Sequence, residues 1–162
     1  MYVLRNSHVQ LIADCDKPMN VTWVLGWPTG QERGEYLTLD LGGTNLRVCW
    51  IILQEGKGKT EVKQQGYQIP DKFKSGEAEP LWNFIAESIA AFIDENKLQG
   101  TKDKPLPLGF TFSYPATQEY IDHGVLQTWT KGFDIKGVEG HDVVESLNAA
   151  MAKKVSRDAE GY

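Results

Sequence analysis

Apolar positions along the chain fall first into short β-rich runs and then into a helical period. Tyr36 to Leu41 and Leu46 to Leu53 flank Gly42-Gly43-Thr44-Asn45, which predicts a hairpin whose tight turn uses glycines where φ is positive. After the polar turn Gln54 to Thr60, Glu61 to Ile69 can form a third strand, so the expectation is a three-strand antiparallel meander. Pro80 then opens the strongest helical pattern. Leu81, Phe84, Ile85, Ile89, Phe92 and Ile93 recur at spacings of three and four, which makes one core face. Asp94 to Asp103 is polar and closes the helix, and Pro105 to Tyr114 is apolar and aromatic enough for a buried fourth strand. A helix between two strands of one sheet implies a right-handed crossover. A last amphipathic helix places Val143, Val144, Leu147 and Met151 inward. Upstream, Pro18, Gly26, Pro28, Gly30 and Gly34 predict an extended, turning lead-in, with Trp23 and Trp27 as packing anchors that dock it.

Composition narrows the class. At 162 residues with 41% apolar content the chain suits one domain with a packed core. A net charge of -5 gives no basic footprint, which argues against nucleic acid and against an anionic membrane surface as partners. No apolar run approaches the ~18 residues of a membrane span. The patch Val9 to Ala13 after Arg5, broken by Gln10, is shorter than the core of a secretory signal. Cys15 and Cys49 are too few for a disulfide framework or a zinc site, so a reducing, cytoplasmic setting is expected, and Asn20-Val21-Thr22 then means nothing as a glycosylation acceptor. His8, His123 and His141 lack ligand spacing and read as surface or turn residues. Oligomeric state is left open.

Two stretches carry candidate chemistry. On its own Gly42-Gly43 is an ordinary hairpin turn. The same turn also lets backbone N–H groups approach an anion, with the Thr44 hydroxyl and Asn45 amide as further donors. Asp40, just before the turn, is placed to hold a divalent cation such as Mg2+ through water, and Arg47 adds positive charge. The second stretch runs from Leu108 to Phe133. Ser113 sits where a strand ends at Pro115, so its hydroxyl leaves the sheet edge. Thr130-Lys131-Gly132, beside Trp129, adds a hydroxyl, an ammonium and a flexible turn. Clustered neutral donors and acceptors with one charge suit a polyhydroxylated ligand, although each piece alone is also a common turn.

The string Leu39-Asp40-Leu41-Gly42-Gly43-Thr44-Asn45-Leu46-Arg47-Val48 resembles the first phosphate motif of the sugar kinases in the actin-like ATPase superfamily, specifically of the eukaryotic hexokinases. It is not a Walker-type loop, since no Gly-x-x-x-x-Gly-Lys-Ser/Thr occurs. Leu108 to Phe133 resembles the sugar-binding signature of the same family, in which the Ser, Thr and Lys contact the hexose. The resemblance thus implies Ser113, Thr130 and Lys131 for the hexose, and Asp40, Gly42, Gly43, Thr44, Asn45 and Arg47 for ATP phosphates. Residues 18–154 follow the family as a portion of its small domain. Residues 1–17 form a divergent segment and 155–162 a tail outside it. The lead-in and Asp122-His123-Gly124 look fungal. The fold implied is α/β, ribonuclease-H-like (actin-like ATPase), in an incomplete form: meander, helix, fourth strand and helix, without the fifth strand.

The family transfers a phosphoryl group from MgATP to the 6-hydroxyl of glucose, mannose or fructose, the first step of glycolysis. Such transfer is mostly positioning and charge stabilisation, plus a carboxylate that accepts the hydroxyl proton. In hexokinases that carboxylate lies in an Asn-Asp-Thr sequence on the next strand, and no Asn-Asp occurs here. Glu119, Asp122, Asp134 and Asp142 remain near the sugar motif without a placement that replaces it. The expectation is therefore a hexokinase fragment, inactive alone. A non-catalytic hexose sensor and a truncated gene model are the alternatives.

Overall fold

The computed structural model describes residue 20, residue 23 and residues 25–54, 60–99 and 105–160, with side chains as far as Val155. Outside the described residues lie the segment 1–17 with Arg5, His8 and Cys15, the start of the lead-in, the polar turn at 55–59, the loop at 100–104 and the last side chains of the tail.

Strands β1 (Gly34–Leu41), β2 (Asn45–Leu53) and β3 (Thr60–Gln68) form the expected antiparallel meander. Side chains alternate across a strand, so Leu37, Leu39 and Leu41 of β1 and Leu46 and Val48 of β2 share one buried face. Helix α1 (Ala78–Asn96) covers it with Leu81, Ile85, Ile89 and Phe92. The helix starts two residues ahead of Pro80. Proline is tolerated there because first-turn N–H groups have no helical partner. The buried stripe is rotated slightly about the helix axis from the one the sequence pattern suggested. Trp82 and Ala86 are buried, while Phe84 and Ile93 are only half-buried. The helix ends at Lys97 in the left-handed region (φ 52°), whose N–H donates to the Asp94 carbonyl at 3.1 Å.

Strand β5 (Leu108–Phe112) returns parallel to β1 with Leu39 opposite Phe110, giving the order β3-β2-β1-β5. The expectation of a buried fourth strand is corrected. Gly109 and Thr111 are exposed, and Leu108, Phe110 and Phe112 are half-buried. Parallel strands are buried when both faces and both neighbours are covered, but β5 is last in the described sheet. Its outer side borders a 770 Å³ groove faced by Val143, Leu147 and Met151. These belong to helix α2 (Val143–Glu160), which packs on α1. Among its described side chains Val143, Leu147 and Ala150 are buried, whereas Val144 and Met151 are half-buried.

Two small ladders went unforeseen. β4 (Ser75–Glu77) pairs in parallel with β8 (Asp134–Lys136), and β6 (Ala116–Thr117) pairs with β7 (Val125–Leu126). Strands of two or three residues have no period to read. In the lead-in, the Trp23 indole N–H donates to the Gln118 carbonyl at 2.9 Å and does dock the segment. Trp27 does not, being 70% exposed. Among the described residues no helix is long and apolar enough to cross a membrane.

Candidate active site

The hairpin brings Asp40 and Arg47 opposite each other as register partners. Arg47 Nη1 stands 3.4 Å from Asp40 Oδ2, with the side chains 53% and 38% exposed. So solvated a pair contributes about 1 kcal/mol or less, which leaves the carboxylate open to other partners. Gly42 N–H closes the turn onto the Asn45 carbonyl at 3.1 Å, and the Thr44 carbonyl accepts from Ile69 N–H at 2.9 Å. The expected glycine conformation is corrected here, because neither Gly42 nor Gly43 has a positive φ. Gly43 is required for a different reason. A Cβ on it would lie 2.9 Å from Cβ of Lys131. The Thr44 and Asn45 side chains face solvent.

Parallel pairing sets Thr111 beside Asp40 and Phe112 beside Leu41, so Ser113 emerges next to the turn. Its N–H donates to the Leu41 carbonyl at 3.3 Å, and its hydroxyl donates to Asp40 Oδ1 at 3.4 Å. Thr130 to Phe133 forms a second turn, closed by Phe133 N–H on the Thr130 carbonyl at 3.1 Å. Lys131 and Gly132 at its centre have φ of 56° and 80°, the type I′ pattern that favours glycine. Thr130 is exposed on this turn. Lys131 reaches back, and its ammonium donates to the Ser113 carbonyl at 2.5 Å and lies 5.0 Å from the centre of the Tyr114 ring.

An aromatic cluster of buried Tyr114, Trp129 and Phe133 with half-buried Phe112 fixes this loop, with ring centres from 4.9 Å apart. Its polar edges are satisfied, as buried indoles require. Trp129 Nε1 donates to the Ile135 carbonyl at 3.0 Å, and its backbone N–H donates to Glu139 Oε1 at 2.6 Å.

The structure therefore gathers Asp40, Gly43, Arg47, Ser113 and Lys131, with Thr44, Asn45 and Thr130 exposed beside them. The other candidate carboxylates sit elsewhere. Asp142 Oδ1 accepts the N–H groups of Gly124 and Val144, both at 3.0 Å, and so caps α2. Asp134 is exposed on β8, and Glu119 and Asp122 are exposed in a loop. His123 Nδ1 accepts from Glu119 N–H at 3.3 Å, a turn role as expected. Among the described residues no three His, Cys, Asp or Glu converge. One participant had no local sequence signal. The hydroxyl of Tyr114 donates to the Gly42 carbonyl at 2.9 Å, across 72 residues of chain.

Known proteins share the sequence and the fold. A family-wide sequence model described as Hexokinase matches residues 4–160. A hexokinase from Emericella nidulans is 58% identical over 137 residues, which is 85% of this chain and 28% of the relative. Hexokinase-1 of Saccharomyces cerevisiae is 51% identical over 138 residues, with the same two coverages of 85% and 28%. This chain thus spans 28% of the length of these curated relatives. Among solved structures, a Schistosoma mansoni hexokinase complexed with glucose superposes with a TM-score of 0.77 at 42% identity, over 85% of this chain and 30% of that one. The match of the family model over residues 4–160, the identities and the superposition together place the chain in the hexokinase family.

Proposed function

We propose that this chain supplies the hexose-gripping and phosphate-gripping wall of an ATP-dependent hexose 6-phosphotransferase acting on glucose, mannose or fructose in the cytoplasm. The observation that carries the reading is the meeting of two motifs far apart in sequence: the Ser113 hydroxyl on the Asp40 carboxylate, with Lys131 on the Ser113 carbonyl. Ser113, Thr130 and Lys131 would hold the sugar. They combine donors, acceptors and one charge, which is what a polyol needs. The glucose bound in the schistosome relative is consistent with that assignment.

Asp40, Gly42, Gly43, Thr44, Asn45 and Arg47 would face the polyphosphate. The fit of a Mg2+ ion rests on Asp40, whose two oxygens make only long contacts at 3.4 Å and whose side chain is 38% exposed. One such carboxylate, acting through water, suits a cation held mainly by phosphate oxygens. The ion would neutralise phosphate charge during transfer. The Gly42 N–H is committed to the turn, whereas the exposed Thr44 and Asn45 side chains and the Arg47 guanidinium would offer donors to the phosphates.

The carboxylate in contact with Ser113 is Asp40, already paired with Arg47, which suits cation binding better than proton abstraction. We therefore expect the 162-residue chain alone to form no glucose 6-phosphate from glucose and MgATP. Turnover that disappears in Asp40→Ala would refute this. Glucose binding, measured by calorimetry, is expected to fall at least tenfold in Ser113→Ala. Equal affinity in the variant would remove Ser113 from the sugar site.

A further inference from the structure

We infer that Tyr114 is a positioning residue that ties the phosphate-side turn to the hexose-side loop and thereby sets the spacing between the two ligands. What the two sides bind rests on the reading above. The tie itself is built from contacts within the chain.

Tyr114 is 7% exposed and follows the candidate sugar residue Ser113 directly. Its hydroxyl reaches the Gly42 carbonyl at 2.9 Å, while its ring lies under the Lys131 ammonium at 5.0 Å. One side chain thus touches both motifs. The stem of Lys131 closes the circuit by packing on Gly43, where a Cβ would stand 2.9 Å from its own. Because the Gly42 N–H is bonded to Asn45, Tyr114 fixes the remaining polar group of a residue that would otherwise have wide backbone freedom. Burial holds the phenol well above its ordinary range, so it stays a donor into the alkaline range where an exposed tyrosine would ionise.

The division of labour within the side chain is specific. The ring packs with Phe112, Trp129 and Phe133 and supports Lys131, a role phenylalanine would also fill. Only the hydroxyl reaches the turn. Group transfer is sensitive to placement errors of about 1 Å, and a contact shared by two binding segments couples their ligands reciprocally.

The test is amide hydrogen exchange by NMR on the full chain, comparing wild type with Tyr114→Phe and Tyr114→Leu. In Tyr114→Phe the amides of Gly42 and Ile69 should exchange at least tenfold faster relative to those of Leu39 and Val48, which report opening of the whole core. The upfield ring-current shift of the Lys131 ε-methylene protons should persist in the phenylalanine variant and collapse in the leucine variant. Turn amides that are unchanged in Tyr114→Phe, or that accelerate only as much as the core, would overturn the tie. A glucose titration forms a separate arm. Protection of Gly42 by glucose in wild type but not in Tyr114→Phe supports the coupling. Absence of any glucose effect in wild type counts against hexose binding by this chain, and the ligand-free comparison still decides the tie.

Discussion

Gly43 leaves room for Lys131, and that packing makes a sharp demand on one residue. Gly43→Ala would drive a methyl into the Lys131 stem, and overpacking of this kind typically costs about 1–3 kcal/mol. Gly66, inside β3 where an added Cβ would meet nothing within 4 Å, is the control, and Gly66→Ala should be neutral or stabilising in urea, by no more than about 1 kcal/mol. Equal effects would show that the close approach is not felt. The sequence pointed to Gly43 but not to its packing on Lys131, since backbone φ and contacts at long range are invisible in a four-residue turn. Asp40, Ser113 and Lys131 were legible because each lies within a long, specific string. Tyr114 was not, because Ser-Tyr-Pro reads locally as a strand end. Its buried phenol also predicts a pH dependence. Above pH ~10, the ordinary tyrosine range, the unfolded chain releases this proton while the folded chain keeps it. The contribution is fully present below that pH and is lost as pH rises toward the folded value. Urea midpoints measured from pH 8 to 11 should fall less steeply in Tyr114→Phe. Burial raises Tyr67 likewise, so part of the slope should remain, and an unchanged slope would contradict the assignment to Tyr114.

At the scale of elements, stability should reside where α1 meets β1 and β2. Ile85 is fully buried there, and Ile85→Ala is expected to cost about 2–5 kcal/mol in urea unfolding. Lys153 bridges α2 to Glu79 at 3.0 Å, but the two side chains are 58% and 62% exposed. Lys153→Ala should therefore cost no more than about 1 kcal/mol. A reversal of this order would mean that the helices are held by charge instead of by the apolar stripe. The meander, both helices and the parallel strand were readable because each runs for five or more residues with a period. β4, β6, β7 and β8 were not, since their pairing is imposed by the loops around the aromatic cluster. Trp82 keeps the three-and-four spacing, lying three residues before Ile85 and seven before Ile89, so the period offered it and only its large amphipathic ring argued against a core place.

The whole molecule presents two unequal sheet edges among the described residues. β3 is polar and exposed almost throughout, with Glu61, Lys63, Gln64 and Gln65 along it, the kind of edge that discourages pairing. β5 reads Leu-Gly-Phe-Thr-Phe, carries no charge and borders the groove beside α2. The chain should self-associate with rising concentration in light scattering, and Thr111→Lys should suppress this by placing a charge on the open edge. Scattering that is independent of concentration would refute it. The parallel pairing of β1 with β5 has one more effect, on the order of events as the chain folds. The meander closes through short loops, whereas Leu39 must wait for Phe110 until the intervening helix has been made. Distant pairings are slow because loop closure precedes their reward. The Asp40–Ser113 meeting depends on that pairing, so the two binding motifs acquire their shared geometry only at the last long-range step, and a ribosome that has released the hairpin alone has released no site.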